Sequence, residues 1–399
     1  MKRIFYSFVV MLLCVQTMTG QDIIQIDPER ISRGTLTLSD MIESIEYIPL
    51  ETNSNCFIGD IHASEDVLIS DNYIFVCCKT TQSCYLFNRA GKFIAKIGNK
   101  GNGPGEYLLP NLFAIDEKSR QVILSDPRGP ADMGKLLYYD LNGKYVKSVS
   151  VDSRLTGFFH TQFDDKHVVM QNNNPFRAGD PPFNYYIFSN NNELITQKIK
   201  NIDYTTIRQG TFIMQSFCYY LRQGQLHVKK EALNDTIYSI SKGLSFSPKY
   251  IINAGKYSLT AQLLSNPDLF GREKNNRVLF SSAFETDNYV LISFIYKEKN
   301  YYQYYDKNRR QSSLFNSVSG IPNDYDGGWE FWPRKQKENE LITWYNAYLF
   351  EEKNDNKLKP KGPQKAVEHQ KKTINEIIKY QTQYKTEANP IIVIAKLKQ

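Results

Sequence analysis

The sequence predicts an all-β chain, a six-bladed β-propeller built of four-stranded blades. Three observations point to it. An aromatic residue, a short polar turn and a return strand recur as a unit along the chain. The composition is 13% aromatic, with 27 Tyr and 23 Phe, and aromatic enrichment favours strands over helices. Apolar strand-like runs stand near both ends, IEYIPL at Ile45–Leu50 and PIIVIAKL at Pro390–Leu397. A ring needs a seam, and these two runs are expected to form it.

Residues 1–20 read as a signal peptide. Lys2 and Arg3 form a charged start, Ile4–Val15 is apolar except for Ser7, and Thr19 and Gly20 offer small residues for cleavage. The run is short for a membrane span, and no later segment approaches the roughly 18 apolar residues a span needs. Cys14 is the one candidate for a lipid anchor, but Leu13 occupies the place where such signals carry a small residue, so no anchor is expected. Residues 21–44 form a polar, extended N-terminal extension. The propeller is expected over 45–399.

Val67–Cys77 reads as a hairpin turning at Asp71 and Asn72. The repeated unit follows, at Phe87, Tyr139, Phe188, Tyr238, Tyr305 and Phe350, with spacings of 52, 49, 50, 67 and 45 residues. The aromatic is expected to pack between sheets. Asn, Asp or Gly in the turn accommodates the positive φ of tight hairpins, as at Gly91 and Gly143. A further strand-like run precedes five of the units: Val122–Ser125, Val168–Gln171, Leu226–Lys229, Val290–Phe294 and Leu341–Trp344. Four short strands repeating every 40–50 residues or so are the mark of a propeller blade. A pair of β-sandwiches with coincidental turns is the alternative, and the regular spacing argues against it. The long spacing of 67 marks an insertion at 255–277 with a helical turn before Asn266 and Pro267. From Pro363 onward Val367, Ile374, Ile377, Ile378 and Tyr384 recur at helical spacing, predicting an amphipathic helix over 363–385 with its lysines in water. The closing strand is placed at 390–398.

The formal net charge is +7, and all of that excess lies in Lys353–Lys398, which holds 11 Lys against Asp355, Glu368, Glu376 and Glu387. Such a run reads as a solvated face, so no nucleic-acid partner is expected. Five cysteines follow the leader: Cys56, Cys77, Cys78, Cys84 and Cys218. An odd, scattered set is not a disulfide framework, although a link from Cys77 or Cys78 to Cys84 would close across a hairpin.

Four stretches resemble a known family: EYIPLET at Glu46–Thr52, IGNKGNGPGEY at Ile97–Tyr107, NDTIYSI at Asn234–Ile240 and NPIIVIAKLK at Asn389–Lys398. The chain resembles the exported six-bladed β-propeller proteins of Bacteroidetes, relatives of the NHL and TolB-like propellers. The resemblance covers nearly the whole chain after the leader. It implies the periplasm or the cell surface, and no established activity, so no catalytic residue is assigned.

Candidate ligand sites come from local chemistry. Gly98–Gly105 is a glycine-rich loop whose backbone N–H groups can converge on an anion, with Lys100, Asn102, Glu106 and Tyr107 around it. It lacks the strand–loop–helix context and the Lys-Ser/Thr end of a P-loop, so a tight crossing between blades is the favoured reading. Trp329 and Trp332 in DYDGGWEFWPR form a possible sugar-stacking platform beside acidic residues. At that spacing two strand residues point to opposite faces, so a core role competes. Arg128 and Arg177, in Pro/Gly-rich loops, suit bidentate binding of carboxylate or phosphate.

For an enzyme, Glu106, Asp126 and Asp287 are the candidates to gather on a calcium ion. His62, His160, His167, His227 and His369 are scattered without a zinc-ligand pair, and no GxSxG elbow is present. No metal site or cofactor is assigned, calcium being the possible exception. The reading that results is a monomeric binding or scaffold module of the cell envelope, for a carbohydrate, peptide or partner protein. The alternative is a calcium-dependent, lactonase-like hydrolase or lyase working in the central channel. A structural protein docking a partner through the 363–385 helix is a third class.

Overall fold

Apolar runs such as YIFVC and QVILS are continuous rather than alternating, which suits strands covered on both faces. The computed structural model shows why they are. It describes residues 22–128, 133–152, 159–164, 166–171, 183–189, 193–199, 218–229, 235–351 and 358–399. Strands dominate, gathered into multiple four-stranded antiparallel sheets of a propeller-like fold. Sheet A comprises Val67–Ile69, Tyr73–Cys78, Ser83–Asn88 and Phe93–Ile97. Sheet B holds Asn111–Asp116, Gln121–Asp126, Met133–Asp140 and Tyr145–Asp152. Sheet C holds Phe159–Gln162, His167–Gln171, Phe183–Ser189 and Leu194–Ile199. Sheet D holds Cys218–Arg222, Gln225–Lys229, Thr236–Ile240 and Phe246–Asn253. Sheet E holds Leu279–Glu285, Tyr289–Tyr296, Lys299–Asp306 and Gln311–Leu314.

Sheet F draws on both ends of the chain. Its order is Lys335–Lys337, Glu340–Tyr345, Ile391–Leu397 and then Ile42–Pro49. The last two strands pair antiparallel, Ile45 opposite Ala395 and Ile48 opposite Ile392. A single parallel bridge, Leu221 to Lys337, joins F to D. The strand Asp22–Gln25 adds to the outer edge of D beside Tyr250–Asn253, so D and F together form one nine-stranded sheet.

The period-2 alternation of a strand sends neighbouring side chains to opposite faces. In sheet A, Ile74, Val76 and Cys78 therefore join a cluster with Trp344 and Ile392 of F, while Phe75 and Cys77 join Leu124 and Leu137 of B. Sheets B and C meet through Ile123, Val168 and Met170, and C and D through Val169, Ile187 and Val228. D, E and F share the largest cluster, which includes Tyr220, Phe284 and Val393.

Five of the six repeat aromatics fall on third strands and reach back toward the preceding sheet: Phe87, Tyr139, Phe188, Tyr238 and Tyr305. In sheets A to D the register slips beside that aromatic, a β-bulge that increases the local twist. The sixth unit is a correction. Phe350 lies in a 3-10 turn, Ala347–Glu351, rather than on a strand, and the residues that follow it, 352–357, lie outside the described residues. The third strand of F is instead supplied by the C-terminal run.

The 21–44 extension is more structured than its polarity suggests. After Asp22–Gln25 it crosses the edge of E, where Gly34 N donates to Leu314 O and Leu314 N to Ser32 O (2.8 and 2.9 Å). A short helix, Leu38–Met41, then leads into F. Asp324, 2% exposed, accepts from Thr37 Oγ1, Ser39 N, Ser39 Oγ and Lys361 Nζ within 2.7–2.9 Å. Burial alone would raise its pKa, but Lys361, Ser39 and Thr37 outweigh it and hold the carboxyl below its usual range. In the insertion, Thr260 and Asn266 cap helices Ala261–Leu264 and Pro267–Glu273 by accepting from Leu263 N and Leu269 N. Helix Gln364–Tyr384 buries Val367, Ile374 and Ile377 and lies on the outermost strand of F.

All five described cysteines are buried free thiols. Cys77 and Cys84 face each other across the hairpin with their sulfurs 2.6 Å apart, whereas Cys78 faces Ser83. Residues 1–21, with Cys14, and Arg177 lie outside the described residues.

Two turn glycines brace adjoining sheets. Gly91 has φ +80° and a Cβ there would sit 2.3 Å from Pro49 O; Gly143 has φ +82° and its Cβ would sit 2.4 Å from Lys96 O. Gly143→Ala is therefore expected to cost at least about 1 kcal/mol. Gly271→Ala lies in a helix with open space around it and should be neutral or stabilising by up to ~1 kcal/mol. Urea denaturation compares the two, and equal midpoints would remove the bracing role given to Gly143.

Candidate functional site

The first strands of the sheets border two cavities. One, of about 300 Å³, lies where the first strands of A, D and F begin. Its walls are aromatic and hydroxylated, and Trp332, Tyr302 and Arg334 carry its chemistry. Ile321 and Phe331 exchange backbone hydrogen bonds of 2.7 and 3.0 Å, which fixes the loop just ahead of Trp332. The indole Nε1 donates to Ser282 Oγ at 3.1 Å, and Ser282 Oγ lies 2.6 Å from Ser293 Oγ. Tyr302 sits 4.8 Å from the indole, with Phe284 and Phe315 edge-on at 6.3 Å. The ring is thus oriented before any ligand arrives. Arg334 begins sheet F through a 2.8 Å bond from its N to Ile342 O, and its guanidinium stacks 4.8 Å over Trp344. Cys218 also touches this wall, but burial pushes its pKa up to about 12, so it is not a nucleophile at neutral pH.

The second cavity, of about 620 Å³, lies toward the other ends of the first strands. Asp71, Glu117 and Asp164 line it together with Lys118, Lys335 and Lys337. Its carboxylates are engaged locally. Asp71 pairs with Lys337 at 2.5 Å, Glu117 accepts from Asn72 N and Nδ2, and Asp164 accepts from His167. The amides of Gln162 and Gln336 bind backbone on neighbouring sheets, at Ile115 and Glu285. Tyr219 lines both cavities, and Lys335 donates to its hydroxyl. This second space is balanced in charge and cross-linked by its own walls.

A buried ionic cluster ties D to E. Glu285 Oε1 accepts from Tyr250 and Lys307 at 2.8 and 2.6 Å, and Oε2 from Tyr220 and Lys249 at 3.1 and 2.9 Å. Burial alone would raise its pKa, but Lys307 and Lys249 outweigh it and bring it to about 2. Four donors saturate the carboxylate, so it has no lone pair left for a substrate. His227, stacked 4.6 Å from Tyr220, is lowered to about 3 by burial and then by Lys249. It is neutral at physiological pH.

The structure separates the residues singled out from sequence. In the glycine loop, Glu106 Oε2 accepts from Gly103 N at 2.7 Å, so the chain's own carboxylate occupies that N–H group. Tyr107 is fully buried and donates to Ile97 O, and Gly105 O accepts from Tyr139. Burial removes Tyr107 as a ligand contact; the loop is a crossing between sheets A and B. Lys100 and Asn102 are exposed on it. Arg128 is exposed, its N–H donating to Asp126 Oδ1. Trp329 packs on Tyr345 and Phe350, away from the cavity that Trp332 lines. Asp324, bound to the Leu38–Met41 segment, and Asp326, closing its own turn, are buried rather than displayed beside the indoles.

The three calcium candidates have separate partners. Glu106 binds its own loop, Asp126 accepts from Leu108 N and Leu109 N, and Asp287 pairs with Arg222. Among the described residues, no group of three His, Cys, Asp or Glu is placed to hold a metal ion. Sequence reasoning missed Tyr302 and Arg334. The signal was present at Arg334, which directly precedes a first strand, but Tyr302 reaches the cavity only through sheet packing.

The chain belongs to a family described as domain of unknown function DUF4934, whose model matches residues 22–396. No curated protein matches it. Among solved structures, a Bacteroides fragilis protein described as exported aligns with a TM-score of 0.65 at 14% identity, over 94% of this chain and 100% of its own. A DUF4221 member from Bacteroides vulgatus gives 0.48 at 9% identity over 90% and 98%. An Agrobacterium tumefaciens protein assigned as TolB gives 0.36 at 10% over 69% and 88%. At these identities only the first likeness bears on this chain, and it bears on the fold alone. Among the described residues no helix is long and apolar enough to cross a membrane.

The Glu285 cluster yields a test. Its depressed pKa means the stability it contributes is present above the unfolded carboxyl value and is lost as pH falls from about 5 toward about 2. Glu285→Gln leaves two lysines without their buried partner and should cost about 3–5 kcal/mol at pH 7. Because the variant has lost that group, its stability should fall less than the wild type's between pH 6 and pH 3. Urea titrations at both pH values check this, and parallel losses would remove Glu285 as the source.

Proposed function

We propose that the chain is an exported six-bladed β-propeller that acts as a binding or scaffold module of the cell envelope. It holds a carbohydrate, peptide or partner protein at the Trp332 mouth of a central channel. In this reading sheets A to F are the six blades. The succession of shared cores, A with B, B with C, C with D, D with E and F, and F with A, supports a closed ring. The pairing of Ile42–Pro49 with Ile391–Leu397 supports its seam. The charged and apolar start, Met1–Gly20, supports export, and the protein works in the periplasm or at the surface as a monomer.

The observation that carries the functional reading is the 300 Å³ cavity itself. It falls at the lower end of the range of ligand clefts, roughly 300–1,000 Å³. Its indole is already fixed by Ser282 and packed by Tyr302, so little side-chain entropy is lost on binding. Hydroxyls around an aromatic wall suit a ligand with both an apolar face and polar edges.

A thermal-shift screen against glycans, peptides and divalent ions tests the reading. A ligand that binds only the folded form raises the melting temperature, by an amount equivalent to about 2.7 kcal/mol at 100 times its Kd. The shift should vanish in Trp332→Ala. An undiminished shift in that variant would move the site elsewhere, and stabilisation by calcium alone would favour the hydrolase alternative.

A further inference from the structure

The two cavities differ in electrostatics. The larger one balances three carboxylates against three lysines. Among the described residues the Trp332 cavity is lined by Arg334 and His62 and by no Asp or Glu. Arg334 is exposed, with its Nη1 3.4 Å from His62 O. Among the described residues no carboxylate forms an ion pair with it. Lys335, just behind Tyr219, adds to the positive potential. The remaining polar wall is uncharged and rich in hydroxyls: Ser64, Ser281, Ser293, Asn300 and Tyr302.

We infer that the cavity takes an acidic saccharide, a sugar unit bearing a carboxylate, with Arg334 as the group that reads the charge. Three features converge on that class. An apolar sugar face stacks on an indole, and Trp332 presents one whose rotation is fixed. Ring hydroxyls need donors and acceptors that are themselves neutral, and the serines and Asn300 supply them. A carboxylate matches the planar fork of a guanidinium, which can bind both oxygens at once. Arg334, the one cation lining this cavity among the described residues, has no carboxylate in an ion pair with it there and fits a single negative charge. The neutral walls would leave a second charge without a partner, and burying an unpaired charge is costly. Stacking on Trp344 holds the guanidinium in place before binding.

This inference rests on the Trp332 cavity being the binding site, and the test separates the two. Calorimetry of the purified protein with short oligogalacturonates and with their methyl esters compares the same sugar with and without charge. The acid form should bind, and the ester should bind at least about ten-fold more weakly, since a charge-assisted hydrogen bond is worth that much. Arg334→Gln should lower affinity for the acid by a similar factor and erase the preference, while Arg334→Lys keeps part of it. Trp332→Ala should weaken both forms alike.

Equal binding of acid and ester, still weakened by Trp332→Ala, would overturn the anionic assignment and leave the cavity as the site. Binding of neither form, or binding indifferent to Trp332→Ala, would overturn the saccharide assignment as placed here. Binding of an aromatic peptide carboxylate in place of the saccharides would overturn the sugar class while keeping the role of Arg334.

Discussion

The joining of the two ends of the chain is the constraint on which the rest depends. Ile42–Pro49 forms the outer strand of a sheet whose third strand is Ile391–Leu397. The side chain of Asn389 locks the corner. It accepts from Ile58 N at 2.7 Å and donates to Glu51 O and Cys56 O at 2.7 and 3.0 Å, and its own N–H donates to Thr52 Oγ1 at 2.8 Å. Asn389 is fully buried, so each of these bonds forms where water cannot replace it. Without the strand Ile391–Leu397, sheet F keeps only its first two strands. Sheet A then loses one of its two covering faces, because Ile392 and Ile394 share a core with Ile74, Val76 and Phe87. Arg334 and Trp332 stand at the head of the same sheet, so the geometry of the cavity depends on this pairing.

Much of this was legible in residues, and the unreadable part has a physical reason. A third strand carries an aromatic at a bulge and then a turn. Each of these is a local event, and local events leave a pattern, as at Phe87 and Tyr139. The final unit broke the pattern because its third strand is separated from its second by a 3-10 turn and a helix of 21 residues. Phe350 imitates the signal: it packs on Trp329 as an aromatic should, but from a turn. The strap from Asp22 to Met41 hid for a different reason. Its partners are strand edges more than 200 residues away, and its residues supply mainly backbone groups and polar caps to them.

The candidate site was legible in part. Trp332 was found because tryptophan is rare and large. The aspartates beside it misled, because nothing in DYDG distinguishes a carboxylate displayed to a ligand from one capping another segment. Asp324 caps the start of Leu38–Met41, and Asp326 closes its own turn through Gly328 N. The glycine loop misled in the same way, since Glu106 lies three residues from the N–H it satisfies. Where a sequence holds both the donor and a charge able to reach it, an external ligand is the less economical reading.

A chain made from its N-terminus must hold Ile42–Pro49 waiting while some 340 residues are added before Ile391–Leu397 exists to receive it. Sheets A, B and C are contiguous in sequence and have no such delay. The polypeptide is therefore built with Ile42–Pro49 as an unmatched strand edge until that partner has been made. Any factor that shields an open strand edge during biosynthesis has its natural target here, at residues 42–49, and its task ends when Ile391–Leu397 arrives.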